Sequence, residues 1–339
     1  MARLARPIII LVLMSLGAIL FSSPRLVRAD SASLQPHSPI LISSHSDFTS
    51  DNGVTGGSGT SDDPYVISGW AIGSNSNQAG CDDGILVANT TAYFTISRVS
   101  VFNSCVNGII LSQIEDGRVQ DSQITVQRVG VKIDTSNSFQ ITRNTVGAQE
   151  PLVIYNSDSF DLSYNDLQGG VETLRGSYIS DASIVGNTGG GEDGMSLDNI
   201  SGLLVSQNSI RAHVSLSVSN CGNTTIDSNT ANAFNDGIVV SECSDVSVTN
   251  NLVTSGNVGG ERYYLGILLS ASTNIDVSSN GVSNSDNGIF LANYATGNSI
   301  HDNSITNNQC GITTDSTTVD QNYIADNTFQ GNVQDICNP

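Results

Sequence analysis

The stretch Val205-Ser-Gln-Asn-Ser-Ile210 sets an asparagine, Asn208, three places after one apolar residue and two places before the next. Full copies of this pattern recur as Ile141/Asn144/Val146, Leu162/Asn165/Leu167, Val248/Asn251/Val253, Val277/Asn280/Val282, Ile300/Asn303/Ile305 and Ile324/Asn327/Phe329. Weaker copies, Ile184/Asn187/Gly189 and Ile226/Asn229/Ala231, fill the gaps, and the asparagines are 21, 22, 21, 21, 22, 29, 23 and 24 residues apart. A sustained period near 22 residues is the signature of a stacked repeat protein.

A second column keeps step with the first. Gly84, Gly108, Gly130, Gly194, Gly237, Gly266, Gly288 and Gly311 each open a Gly-apolar-x-apolar run, and Pro151, Gly170 and Ser215 stand in for missing members. Each coil therefore holds two or three short alternating strands between polar turns. Such a coil has no core of its own, so coils must stack. Stacked coils make parallel strands, and parallel crossovers are right-handed in nearly all cases. The predicted fold is all-β: a right-handed parallel β-helix, a single-stranded solenoid of about eleven coils with an N-terminal cap.

The asparagine column has a structural task in this fold. If each amide turns inward at a bend, it meets the amides of the coils above and below about 4.8 Å away. The cysteines follow the same register. Cys81 and Cys105 each lie three residues before their glycine, and Cys221 and Cys243 each lie eight before their ladder asparagine. Residues in one column on adjacent coils fall within disulfide reach, which predicts Cys81–Cys105 and Cys221–Cys243, with buried free thiols as the other reading. The pairing of Cys310 and Cys337 is left open.

The ends read differently from the repeat. Residues 1–29 carry an early positive region, an apolar run from Pro7 to Phe21 and the small-residue signal Val27-Arg-Ala29, which reads as a signal peptide, with a retained N-terminal anchor as the alternative. Residues 30–80 lack the repeat, and Val66, Ile67 and Trp70 suit a cap over the open end of the core, with the coils running over 81–339. Export predicts a secreted, periplasmic or cell-surface protein with no membrane insertion after cleavage.

Removing residues 1–29 deletes four arginines, so Lys+Arg falls from 12 to 8 against 32 acids and the net charge becomes 8 − 32 = −24. That excess argues against nucleic acid, anionic lipid or polyanionic polysaccharide as a partner.

The run Gly59-Thr60-x-x-Asp63-Pro64-Tyr65-Val66-Ile67, followed by Asn- and Gly-marked coils, resembles the NosD-type right-handed β-helix proteins of the wider pectin-lyase-like group. The resemblance covers roughly residues 40–335 and implies the fold. Its function is open, because the group includes polysaccharide lyases, glycoside hydrolases, epimerases, cell-surface proteins and periplasmic proteins of copper-site maturation.

Alignment on the glycine column places outward residues side by side. Glu192, Asp193, His213, Asp236 and Asp286 form one ridge and are the candidate acids and bases for glycosidic chemistry, or for holding calcium. Asp, Asn and Gly are also ordinary turn formers, so the ridge has a purely structural reading too. Beside it lies the 29-residue step between Asn251 and Asn280, where an insertion offers Glu261, Arg262, Tyr263 and Tyr264, with Arg211 nearby, as ligand-binding residues.

The outward positions two places after each glycine, read as Lys132, Val153, Glu172 and Ser196 in the middle coils, lack the clustered bases of a polyuronate lyase. His37, His45, His213, His301 and Met195 are scattered among coils, which argues against copper. No resident cofactor or metal is expected, calcium aside. The expected protein is a monomeric carbohydrate-binding or cell-surface scaffold acting on a carbohydrate or cell-envelope component. A glycan-cleaving enzyme and a structural envelope protein without a ligand are the alternatives.

Overall fold

A computed structural model describes residues 34–73, 80–102, 105–256, 264–318 and 321–338. The proposed leader, residues 1–29, lies outside them. The described chain is a right-handed β-solenoid of about eleven turns in which nearly every strand pairs in parallel with the strand one coil away. Strand Cys81–Thr90 pairs with Cys105–Ile114, which pairs with Val129–Asp134, which pairs with Glu150–Asp158. Among the described strands the one antiparallel pair, Val54–Gly56 with Tyr65–Ser68, belongs to the N-terminal segment. There Phe48 stacks on Tyr65 at 4.4 Å and packs on the buried Phe94, covering the first coil.

The bend that leads into the asparagine ladder is made by a residue in the left-handed conformation. The position before every ladder asparagine adopts it, including Arg143, Tyr164, Gln207, Ser228, Asn250 and Asp302, with Gly186 in the same column. A non-glycine residue there costs about 1–2 kcal/mol, so something at the bend must offset it. The asparagine that follows does so. Oδ1 of Asn165 accepts both the backbone N–H of Asn144, at 2.9 Å, and its Nδ2, at 3.1 Å, while Nδ2 of Asn165 donates to the Ile141 carbonyl at 2.8 Å. The bend's otherwise unpaired backbone groups are thus satisfied inside the coil stack.

Amide-to-amide bonds of 2.9–3.1 Å run without a break from Asn144 to Asn327. The long step from Asn251 to Asn280 preserves the bond, so the insertion leaves the solenoid without disturbing its core. Near the C-terminal end two further ladders appear, Asn298 to Asn322 and Asn308 to Asn332, each 24 residues long like the neighbouring Asn303 to Asn327 step. Consecutive isoleucines, leucines and valines on the inward positions form one continuous core.

Both predicted disulfides are present, with Cα separations of 4.3 Å for Cys81–Cys105 and 4.5 Å for Cys221–Cys243, and Cys310–Cys337 forms a third.

One register differs from the sequence expectation. Leu152 pairs with Leu174, and Leu174 with Met195, so Thr173 rather than Gly170 occupies the glycine column in that coil. Thr173 is fully buried there. The outward strip correspondingly reads Lys132, Val153, Arg175, Ser196, with Arg175 in the place expected for Glu172. Glu172 shifts into line with Glu150 and Asp193.

Candidate functional site

The expected ridge divides into two groups. Glu192 and Asp193 are exposed, and the backbone of Glu192 accepts the His213 N–H at 2.7 Å. Asp193 and Asp236 do not face each other: Asp193 falls in line with Val214, which in turn pairs with Asp236 one coil further on. Asp236 accepts the Leu265 N–H at 3.2 Å, and Asp286 accepts the Tyr264 N–H at 2.9 Å. Both carboxylates therefore tie down backbone at the point where the chain returns from the insertion. Burial raises the Asp236 carboxyl above its usual range, opposed by the Leu265 bond.

What the fold does bring together is Arg211, His213 and Tyr264, joined by a residue that the column alignment passed over. The strand Thr230–Ser241 carries one more residue than its neighbour: Ala212 pairs with Ala233 and Val214 with Asp236, so Phe234 and Asn235 stand opposite His213 alone. Such a bulge bends the strand and re-aims side chains. Phe234 turns outward and is 47% exposed. The Arg211 guanidinium lies 5.0 Å from its ring centroid, and the His213 ring meets it edge-on at 6.0 Å.

The bulge opens a groove of about 660 Å³ bounded by Arg211, Asn232, Phe234, Thr254, Gly256 and Tyr264. Arg211, Asn232 and Thr254 lie in register on three successive coils. Gly256 has a left-handed φ of 44°, and a Cβ there would come within 2.4 Å of the Tyr264 ring, so glycine lets Tyr264 form the far wall. Glu261, Arg262 and Tyr263, expected beside Tyr264, lie outside the described residues.

A second charged cluster lies on the outward strip. Arg175 contacts Glu150 and bonds Glu172 at 2.6 Å, with the Tyr155 hydroxyl 3.5 Å from its Nη1. Glu172 is only 8% exposed, and burial raises its carboxyl while Arg175 lowers it. Arg175 thus neutralises two acids stacked on adjacent coils.

Residues 171–338 match the family model described as periplasmic copper-binding protein (NosD). The described chain is a right-handed parallel β-helix, NosD-like over residues 171–338. No curated protein matches it. Solved structures similar to this chain include DFA-IIIase from Arthrobacter chlorophenolicus A6 without its lid, at 17% identity and a TM-score of 0.52 over 76% of this chain and 74% of that one. PfbA, a surface adhesin of Streptococcus pneumoniae, is similar at 11% identity and 0.56 over 75% and 82%. The Dettilon tailspike protein is similar at 12% and 0.54 over 86% and 61%. At these identities the likeness is one of fold.

Among the described residues the candidate donors do not gather into a copper centre. Among the described residues no group of three or more His, Cys, Asp and Glu could hold a metal. His37 packs on Trp70, His45 on Phe48 and Tyr65, and His213 on Phe234. His301 is held between Asp276 and Asp302, Met195 is buried in the core, and the described cysteines are all in disulfides.

Proposed function

We propose that this protein is an exported binding scaffold for a carbohydrate, with the groove at Arg211, Phe234 and Tyr264 as its contact region. The observation that carries the reading is the half-exposed Phe234 ring, raised by a bulge and set among an amide, a hydroxyl and a guanidinium. An aromatic face offers an apolar platform to the C–H face of a sugar ring, while Asn232, Thr254 and Arg211 supply the hydrogen bonds its hydroxyls need. A volume of about 660 Å³ falls within the range of about 300–1,000 Å³ for small-molecule sites. Three disulfides fit an oxidising compartment.

The test is a glycan-array screen on protein beginning at Asp30, with and without calcium, followed by Phe234→Ala and Tyr264→Ala. Binding that falls about tenfold or more in either variant, with the melting temperature unchanged, supports the scaffold. Binding indifferent to both substitutions overturns the assignment of the groove.

A glycan-cleaving enzyme is the second reading, favoured by the Asp236 carboxyl, which burial raises as an acid catalyst would require. Turnover abolished by Asp193→Asn or Asp236→Asn would establish it; hits without new reducing or unsaturated ends would exclude it for those glycans.

A further inference from the structure

Resting on the reading of the groove as a glycan site, we infer that its ligand carries one anionic group, received by Arg211. Acids outnumber Lys+Arg 32 to 12 in this chain, so a cation near carboxylates has ample opportunity to pair. Arg143 is taken up by Asp121, and Arg175 by Glu150 and Glu172. Arg211 makes no ion pair or side-chain hydrogen bond among the described residues. It is instead laid on the Phe234 ring.

Stacking of this kind restrains the guanidinium plane and leaves its N–H edge unspent, which is the arrangement that receives a planar oxyanion. Among the described residues, those bounding the groove include no acid, and the register neighbour of Arg211 on the preceding coil is Gly190, which offers no side chain to screen it. Asn232 and Thr254, aligned with Arg211 on the next two coils, are neutral hydrogen-bonding groups suited to hydroxyls. One cation followed by neutral groups fits a single charged residue in an otherwise neutral glycan. A polyanion would meet the net charge of −20 outside the groove and be repelled.

The experiment is calorimetric titration of the full exported chain with a glucuronyl-hexose disaccharide, its neutral methyl ester, a hexose phosphate and polygalacturonate. The acid should bind roughly 10- to 100-fold more tightly than the ester, as a charge-assisted bond of about 1.5–3 kcal/mol requires. Arg211→Gln should abolish that preference, bringing acid affinity down to that of the ester in the same variant, Arg211→Lys should restore part of it, and Phe234→Ala should weaken acid and ester alike. Arg211-dependent binding of the hexose phosphate instead would support the inference with phosphate as the anion. Equal binding of acid and ester, with no gain for the phosphate, overturns the inference and leaves the glycan site standing. Preference for polygalacturonate overturns the single-charge argument, and no binding by any sugar overturns both readings.

Discussion

Asn208 and Asn229 meet at one oxygen: the backbone N–H and the Nδ2 of Asn208 both donate to Oδ1 of Asn229, at 2.9 and 3.0 Å. Asn208 plays the same acceptor role toward Asn187 and donates back to the Ile184 carbonyl. Replacing Asn208 with Ala should therefore strand two buried donors and one carbonyl, at a cost of about 3 kcal/mol or more. Asn327→Ala, at the half-exposed end of the ladder, should cost about 1 kcal/mol because water can replace the lost acceptor. Urea unfolding of the two variants checks the ordering; equal losses would show that the ladder does not act through burial.

The disulfides predict a second asymmetry. Cys243 occupies the bend position filled one coil on by Ser272, whose hydroxyl accepts the Cys243 N–H at 3.1 Å. Serine fits that column, so Cys221→Ser/Cys243→Ser should lose the cross-link and little packing, about 2–4 kcal/mol for a loop of this length. Denatured, unreduced protein should yield no thiol to a thiol reagent.

Arg175→Met should destabilise the protein by about 1–3 kcal/mol at neutral pH, because Glu150 and Glu172 would then face each other without a cation. Burial already raises the Glu172 carboxyl, so the folded state holds its proton more readily than the unfolded chain does. Folding of the variant should consequently recover as pH falls through the carboxylate range. Glu172→Gln in the Arg175→Met background should restore stability at pH 7, measured by thermal melts; no recovery at either point would place the loss in packing.

His301 links Asp276, through Nε2 at 2.9 Å, to Asp302, through Nδ1 at 2.7 Å. The Asp302 bond raises its pKa above the usual 6.5; burial opposes that rise and the Asp276 bond adds to it. A histidine raised in the folded state contributes fully below the unfolded value and loses that contribution as pH climbs through the folded value. Titration of the ring by NMR should show an elevated midpoint, and His301→Gln should flatten the stability profile between about pH 6.5 and that midpoint. A normal midpoint in the native protein would refute the clamp.

The coil period, the asparagine ladder and two of the disulfides were legible in the residues themselves, because a one-dimensional stack repeats the same contacts at the same spacing. Even the misplaced coil left a trace. Gly170 follows Asn165 by five residues, whereas Pro151, Gly194 and Ser215 follow theirs by seven and Gly237, Gly288 and Gly311 by eight; Thr173 restores an interval of eight.

What the tertiary structure alone decided is which irregularities point outward and what they meet. The interval from Asn229 to Gly237 exceeds that from Asn208 to Ser215 by one residue, but the count does not say which residue is extruded. Only pairing on the neighbouring coil shows that Phe234 turns out opposite His213 and beneath Arg211. Inward positions answer to one core and so carry a readable pattern. Outward positions answer to contacts between coils about 21 residues apart, which a strand's own alternation does not encode.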